Sequence, residues 1–194
     1  MAYTDNIVAF AAREEGTHWG SNPIRILEYF LAATGFPYTR QEALQVSWCT
    51  YFVMWVLTKA QVRPLPKVGR PPPENFSVAR FIRSVDGRTA TNKDGSHRHW
   101  GVYDAHSVAL KRYAPKPGDL FYLPSFKDHV GIVEKVISGA KVETINGNSG
   151  PRPGEGTDPR LVPGIGGGFV HRKTLDLLDG SSAHSGAVWI EVPD

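Results

Sequence analysis

Apolar residues recur at helical spacing in the first third of the chain. The clearest stripe places apolar side chains at i, i+1, i+4, i+5 and i+8, namely Phe52, Val53, Val56, Leu57 and Ala60. Such a stripe is typical of a helix that buries one face. The pattern therefore predicts a buried helix that begins near Cys49 and ends near Ala60.

Two earlier helices are predicted from the residues at their ends. Thr4 or Asp5 can cap a first helix, because short polar side chains accept hydrogen bonds from the free N–H groups of a first turn. Asn22 followed by Pro23 matches the cap and the first position of a second helix. Gly35 then matches the end of that second helix.

The second half of the chain changes to the alternating pattern of strands. Runs rich in branched and aromatic residues predict strands over Leu120–Leu123, His129–Val136, Lys141–Asn146, Gly168–Arg172 and Ala187–Val192. Turn residues separate the first three runs, which favours an antiparallel meander. Helices followed by strands indicate an α+β fold, with the N-terminal helices packed on one face of an antiparallel β-sheet. The length suits one domain over residues 1–194.

An insertion at about residues 63–115 separates the predicted helices from the predicted strands. Its first part, 63–73, is rich in proline, which excludes a helix or a central strand. We interpret that part as a rigid surface connection, with a polyproline II ligand as the alternative. Short helices are expected at about 75–85 and 104–112, on either side of a long polar loop over 86–100.

Composition and charge exclude several classes of function. The net charge is +3 and the 22 basic residues are scattered, so a nucleic-acid partner is not expected. The longest apolar run, Phe52–Leu57, is far too short to insert into a membrane. The first residues lack the features of a secretory signal. We expect synthesis in the cytoplasm and, if the protein acts outside it, export by a specialised route.

Metal and cofactor sites are not expected. The single cysteine excludes an intramolecular disulfide framework and a four-cysteine zinc site. His97, His99 and His106 are close in sequence, but no acidic or cysteine ligand with suitable spacing accompanies them, so we interpret them as solvated loop histidines. The glycine run 164–168 follows no predicted strand and opens no predicted helix, which argues against a phosphate-binding loop.

Cys49 is the candidate nucleophile. At the start of a helix, free N–H groups and the helix dipole favour a thiolate. The alternative is that Cys49 is only a small core residue. A cysteine nucleophile needs a base and a group that orients the base. His129 opens a strand, and Asn146 lies beside it if the strand face formed by Val142, Thr144 and Asn146 is the buried face toward the helix.

The pattern of motifs resembles a known family. The residues Trp48-Cys49-x-x-Phe52-Val53-x-Trp55-Val56-Leu57, Lys116-Pro117-Gly118-Asp119, His129-Val130-Gly131-Ile132-Val133 and Thr144-Ile145-Asn146-Gly147-Asn148 are similar to those of the CHAP and NlpC-like cysteine amidohydrolases and peptidases. The resemblance covers roughly residues 5–150 and implies a papain-like fold.

The resemblance also implies roles for individual residues. Cys49 would be the nucleophile, His129 the base and Asn146 the orienting residue, with Trp48 and Asn148 supporting the site or binding substrate. Many relatives carry a carboxylate in place of Asn146, so orientation of the imidazole would be its main role here. Glu143 could replace Asn146 only if the strand faces are reversed. The segment 63–113 has no counterpart that we can place.

The expected function is hydrolysis of an amide bond in peptidoglycan stem peptides, by an endopeptidase or an N-acetylmuramoyl-L-alanine amidase without a cofactor. The protein is expected to act in the periplasm or cell wall. It would do so either as an antibacterial effector, which has a cognate immunity protein, or as a phage lysin. One alternative is a papain-like protease or deamidase toxin that acts on a protein. A second alternative is a binding module on a catalytically dead scaffold.

Overall fold

A computed structural model of the protein describes residues 3–62, 65, 89–91, 97–104, 107–108, 111–124, 129–139, 141–149, 168–176 and 187–192. The predicted helix at 75–85, the glycine run up to 167, His106 and all of the proline-rich stretch except Leu65 lie outside these residues.

Four helices form the N-terminal part of the described chain: α1 (Tyr3–Ala12), α2 (Pro23–Thr34), α3 (Arg40–Ala43) and α4 (Cys49–Lys59). The predicted ends of α2 are confirmed. The side chain of Asn22 accepts a hydrogen bond from the Arg25 N–H, and Gly35 ends the helix in the left-handed conformation. α4 is buried from Cys49 through Leu57, so it is enclosed on all sides and not only along the predicted stripe.

Among the described residues, eight strands follow: β1 (Thr89–Thr91), β2 (His97–His99), β3 (Gly101–Asp104), β4 (Leu120–Leu123), β5 (His129–Ser138), β6 (Lys141–Ser149), β7 (Phe169–Asp176) and β8 (Val188–Glu191). Strands β3 to β8 form a six-stranded antiparallel sheet in the order β3-β8-β4-β5-β6-β7. The predicted meander is confirmed, because β4, β5 and β6 pair in sequence order.

The sheet is covered on both faces. The described helices share one core with side chains of alternating strand positions, including Leu120, Tyr122, Val130, Ile132, Ile145 and Ile190. The intervening positions build a second, smaller core that includes Phe121, Leu123, Val133, Val142 and Trp189. The described helices therefore lie on one face, as expected, while the opposite face is covered by Val108 and Tyr113 of the insertion.

The insertion differs most from its prediction. Residues 86–100 were expected to form a loop, but β1 and β2 pair as a small antiparallel ladder within them. The expected helix at 104–112 is also wrong at its start, because Asp104 ends strand β3, which pairs with β8. Strands of three or four residues carry too little periodicity to be predicted, and the partner of β3 is also distant in sequence.

Candidate active site

Cys49 lies at the first position of α4 and is 2% exposed. The helix packs closely against β6, where a Cβ atom on Gly147 would come within 2.6 Å of Phe52. Only glycine permits this approach. The packing brings the start of α4 against the sheet near the first residues of β5, so Cys49 lies within hydrogen-bonding reach of His129 and of the Val130 backbone N–H.

His129 and Asn146 contact each other across two neighbouring strands. The distance from His129 Nε2 to Asn146 Oδ1 is 2.9 Å. Asn146 is 1% exposed, and its Nδ2 donates to Thr144 Oγ1 at 2.7 Å and to the His171 carbonyl at 3.4 Å. Thr144 Oγ1 itself donates to the Lys173 carbonyl at 3.0 Å, so it must accept from Asn146.

This network determines the tautomer of His129. The amide nitrogen of Asn146 faces two acceptors, and its oxygen therefore faces the imidazole. An amide oxygen only accepts, so the hydrogen on the imidazole sits on Nε2. In the neutral ring, Nδ1 is then the acceptor. His129 thus has the tautomer that a base toward Cys49 needs.

The strand faces are the reverse of the expected ones. Ile145, not Val142, joins the core beneath the helices, and Val142 lies in the core on the opposite face. Asn146 nevertheless reaches His129, because both side chains alternate with residues of the helix-side core and so project from the same face. The premise about the buried face was wrong because both faces are buried. A reversal of the strand faces was expected to give Glu143 the role of orienting His129. The residue that contacts His129 is nevertheless Asn146.

The thiol of Cys49 is activated by its neighbours. Burial alone raises its pKa, but the hydrogen bond and charge of His129, the Val130 N–H and the Ser47 hydroxyl together lower the pKa to about 7. A substantial fraction of the cysteine is therefore thiolate at neutral pH.

The sequence interpretation missed Ser47 as a site residue. Its Oγ lies 3.7 Å from Cys49 Sγ, and Asn148 Nδ2 donates to the same Oγ at 2.9 Å. Asn148, predicted as a supporting residue, thus reaches the cysteine through Ser47. The nearness of Ser47 to Cys49 in sequence was the only available signal, because its partner Asn148 lies on β6.

Trp48, predicted to support the site or to bind substrate, lies inside the core. The side chain is 0% exposed and its ring centroid lies 5.8 Å from that of Tyr29. With no exposed surface, the indole packs in the core at the start of α4, directly before the first helical position.

The described part of the chain contains no group of three or more His, Cys, Asp or Glu side chains placed to hold a metal ion. Among the same residues, no helix has the length and apolar character needed to cross a bilayer.

The described site combines a cysteine at a helix start, a strand histidine and an asparagine that orients the histidine, on an α+β domain. This is the set of groups that nucleophilic catalysis requires. The model of the CHAP domain family matches residues 41–148, which is more than half of the chain and spans Cys49, His129 and Asn146. The chain belongs to the CHAP family.

Members of this family are typically amidases or peptidases, and the family implies peptidoglycan as the general substrate. Neither the curated proteins nor the solved structures contain a significant match to this chain.

Proposed function

We propose that the protein is a papain-like cysteine hydrolase that cleaves an amide bond of peptidoglycan stem peptides. The observation that carries the proposal is the continuous contact from Cys49 to His129 to Asn146. A buried structural cysteine would not require a neighbouring imidazole whose tautomer is set by a third buried side chain.

The first half of the reaction forms a thioester. The Cys49 thiol gives its proton to His129 Nδ1, the resulting thiolate attacks the amide carbonyl, and a tetrahedral oxyanion develops. The backbone N–H of Cys49 is at the first helical position, and N–H groups at a helix start are suited to donate to such an oxyanion. His129 then transfers a proton from Nδ1 to the leaving amine, and the C–N bond breaks.

The second half regenerates the enzyme. Neutral His129 accepts a proton from a water molecule that attacks the thioester, and the carboxylic product leaves as Cys49 is restored. Asn146 holds the imidazole in position through both steps. Because its amide is neutral, it orients the ring without the charge stabilisation that a carboxylate would give to the imidazolium.

The substrate is inferred from the family and from charge. Peptidoglycan stem peptides carry free carboxylates, and a chain with a net charge of +3 is mildly attracted to such a polymer. The cell wall lies outside the cytoplasm, so the enzyme would act there, either as an antibacterial effector or as a phage lysin.

The decisive experiment is digestion of purified sacculi followed by mass spectrometry of the soluble products. The wild-type protein is expected to release fragments that identify the broken amide bond, whereas the Cys49→Ala variant, checked for folding by circular dichroism, releases none. Absence of new fragments with the wild type would contradict the proposal. If the wild type instead cleaved or deamidated a protein substrate and Cys49→Ala did not, a protein-directed toxin would replace it.

A further inference from the structure

Ser47 occupies a position between two polar side chains that come from distant parts of the chain. Its hydroxyl oxygen lies 3.7 Å from Cys49 Sγ and 2.9 Å from Asn148 Nδ2. The first distance is within the range of hydrogen bonds to sulfur. The residue is exposed, so its side chain would be free to turn away into solvent if these contacts did not hold it.

The direction of the hydrogen bonds follows from the chemistry of the groups. The Asn148 amide nitrogen can only donate, so Ser47 Oγ accepts from it. The hydroxyl hydrogen of Ser47 is then available for another acceptor, and the sulfur of Cys49 is within reach. The result is a directed chain in which Asn148 donates to Ser47 and Ser47 donates to the thiolate.

The backbone around Asn148 is built to hold that side chain. Asn148 has a φ of 54°, a left-handed conformation that asparagine tolerates better than most residues. The pairing of β6 with β7 shifts register between Asn146 and Ser149, which places Asn148 in an irregularity of the ladder. Gly168 lies against the Cα and Oδ1 atoms of Asn148, where a Cβ on residue 168 would clash with both.

We propose that Ser47 is a further catalytic residue, which donates a hydrogen bond to the Cys49 thiolate, and that Asn148 is the positioning residue that orients its hydroxyl. The proposal rests on the proposed function only in taking Cys49 as the nucleophile. It gives the sulfur a hydrogen-bond donor besides His129. The loop before α4 would thereby contribute to the reaction as well as to the shape of the site.

The test uses the reactivity of Cys49 itself. The protein has one cysteine, so alkylation by iodoacetamide, followed by intact-mass spectrometry over pH 5 to 9.5, reports that thiol alone. Removal of the hydroxyl in Ser47→Ala is expected to slow alkylation at pH 6 by about three- to tenfold, the effect of one hydrogen bond of ordinary net strength. The rates should converge at high pH, where the thiol is ionised in both proteins.

Three variants distinguish the proposed hydrogen bonds from Asn148 to Ser47 to Cys49 from a general disturbance of the structure. Ser47→Thr retains the hydroxyl and should follow the wild-type curve. Asn148→Gly removes the amide while permitting the left-handed backbone, and should shift the curve in the same direction as Ser47→Ala. The double variant Ser47→Ala/Asn148→Gly should match Ser47→Ala alone, since both changes break the same series of hydrogen bonds. Ser138→Ala, at the far end of β5 from His129, is the control that should leave the curve unchanged.

Two results would overturn the inference: a Ser47→Ala curve that superimposes on the wild type, or fully additive effects in the double variant. Neither result depends on the substrate. A failure to digest sacculi would contradict the proposed function without affecting the alkylation curves, so the two proposals fail separately.

Discussion

At Cys49, burial and polar contacts act on the thiol in opposite directions. Burial favours the neutral form, yet the neighbouring imidazole, the Val130 N–H and the Ser47 hydroxyl bring its pKa to about 7. His129 is the largest of the lowering contributions. The reactivity of this one sulfur is therefore a property of residues that lie far apart in sequence.

Replacement of His129 by alanine should make Cys49 less reactive at neutral pH. The lowering contributions of the imidazole disappear while the burial remains, so the pKa of the thiol rises. We expect alkylation at pH 7 to fall by about tenfold or more, with recovery at pH 9.5. A pH profile of iodoacetamide labelling measures this. An unchanged profile would show that His129 does not contact the thiol in solution.

The residue scale also shows the limits of sequence interpretation. Cys49, His129 and Asn146 could be proposed from motif order, although the faces of β6 were assigned in reverse. That reversal arose because alternation shows which side chains share a face but not which face the helices cover. Ser47 was missed because its significance depends on Asn148, a contact that spans about half of the chain.

At the scale of elements, the site depends on how closely α4 approaches the sheet. The helix is enclosed between α1 and α2 on one side and β5 and β6 on the other, and Gly147 permits its contact with β6. Periodicity predicted α4 and the five strands β4 to β8 to within a few residues. It did not predict α3, although Thr39 and Glu42 form a capping box that is visible in the sequence.

A side chain at position 147 should disturb the site by moving α4. In Gly147→Ala the new Cβ would lie 2.6 Å from Phe52 Cβ, so the helix or the strand must shift. We expect a loss of about 1–3 kcal/mol in the free energy of unfolding, as is usual for overpacking. Urea denaturation measures the loss.

The double variant Gly147→Ala/Phe52→Ala provides the control for this prediction. Truncation of Phe52 to alanine removes Cγ and Cδ1, two of the three atoms that the new Cβ meets, so the combined loss should be smaller than the sum of the single losses. Additive losses would show that the two positions are not in contact.

At the scale of the whole molecule, the two faces of the sheet are covered by different parts of the chain. The described helices pack on one face, and residues of the insertion and β8 enclose Asp119 on the other. The Asp119 carboxylate is 0% exposed and accepts hydrogen bonds from the Tyr113 hydroxyl, the Lys116 N–H at 2.8 Å and the Val192 N–H at 3.3 Å. It thereby joins the turn before β4 to the C-terminal strand and the insertion.

This buried carboxylate should make stability depend on pH. Burial raises the pKa of Asp119 from 3.8 to about 6, although its hydrogen bonds act in the opposite direction. The native state therefore binds the proton more tightly than the unfolded chain, and its contribution to stability is lost as pH rises from about 4 to 6. Relative to Asp119→Asn, the wild type should lose about 2 kcal/mol between pH 4 and pH 7.

Urea unfolding of both proteins across this pH range measures the difference. Asp5→Asn is the matched control, because it removes one carboxylate from an exposed position on α1. A constant difference between the wild type and Asp119→Asn would contradict the pKa assigned to the buried carboxylate.

The most direct test of the account is titration of activity against the single thiol. Samples of the protein are alkylated to increasing extents, the labelled fraction is read by intact mass, and the release of peptidoglycan fragments by each sample is measured. If Cys49 is the nucleophile, activity falls in a straight line with the labelled fraction and reaches zero at complete labelling. Substantial hydrolysis by fully alkylated protein would contradict the account.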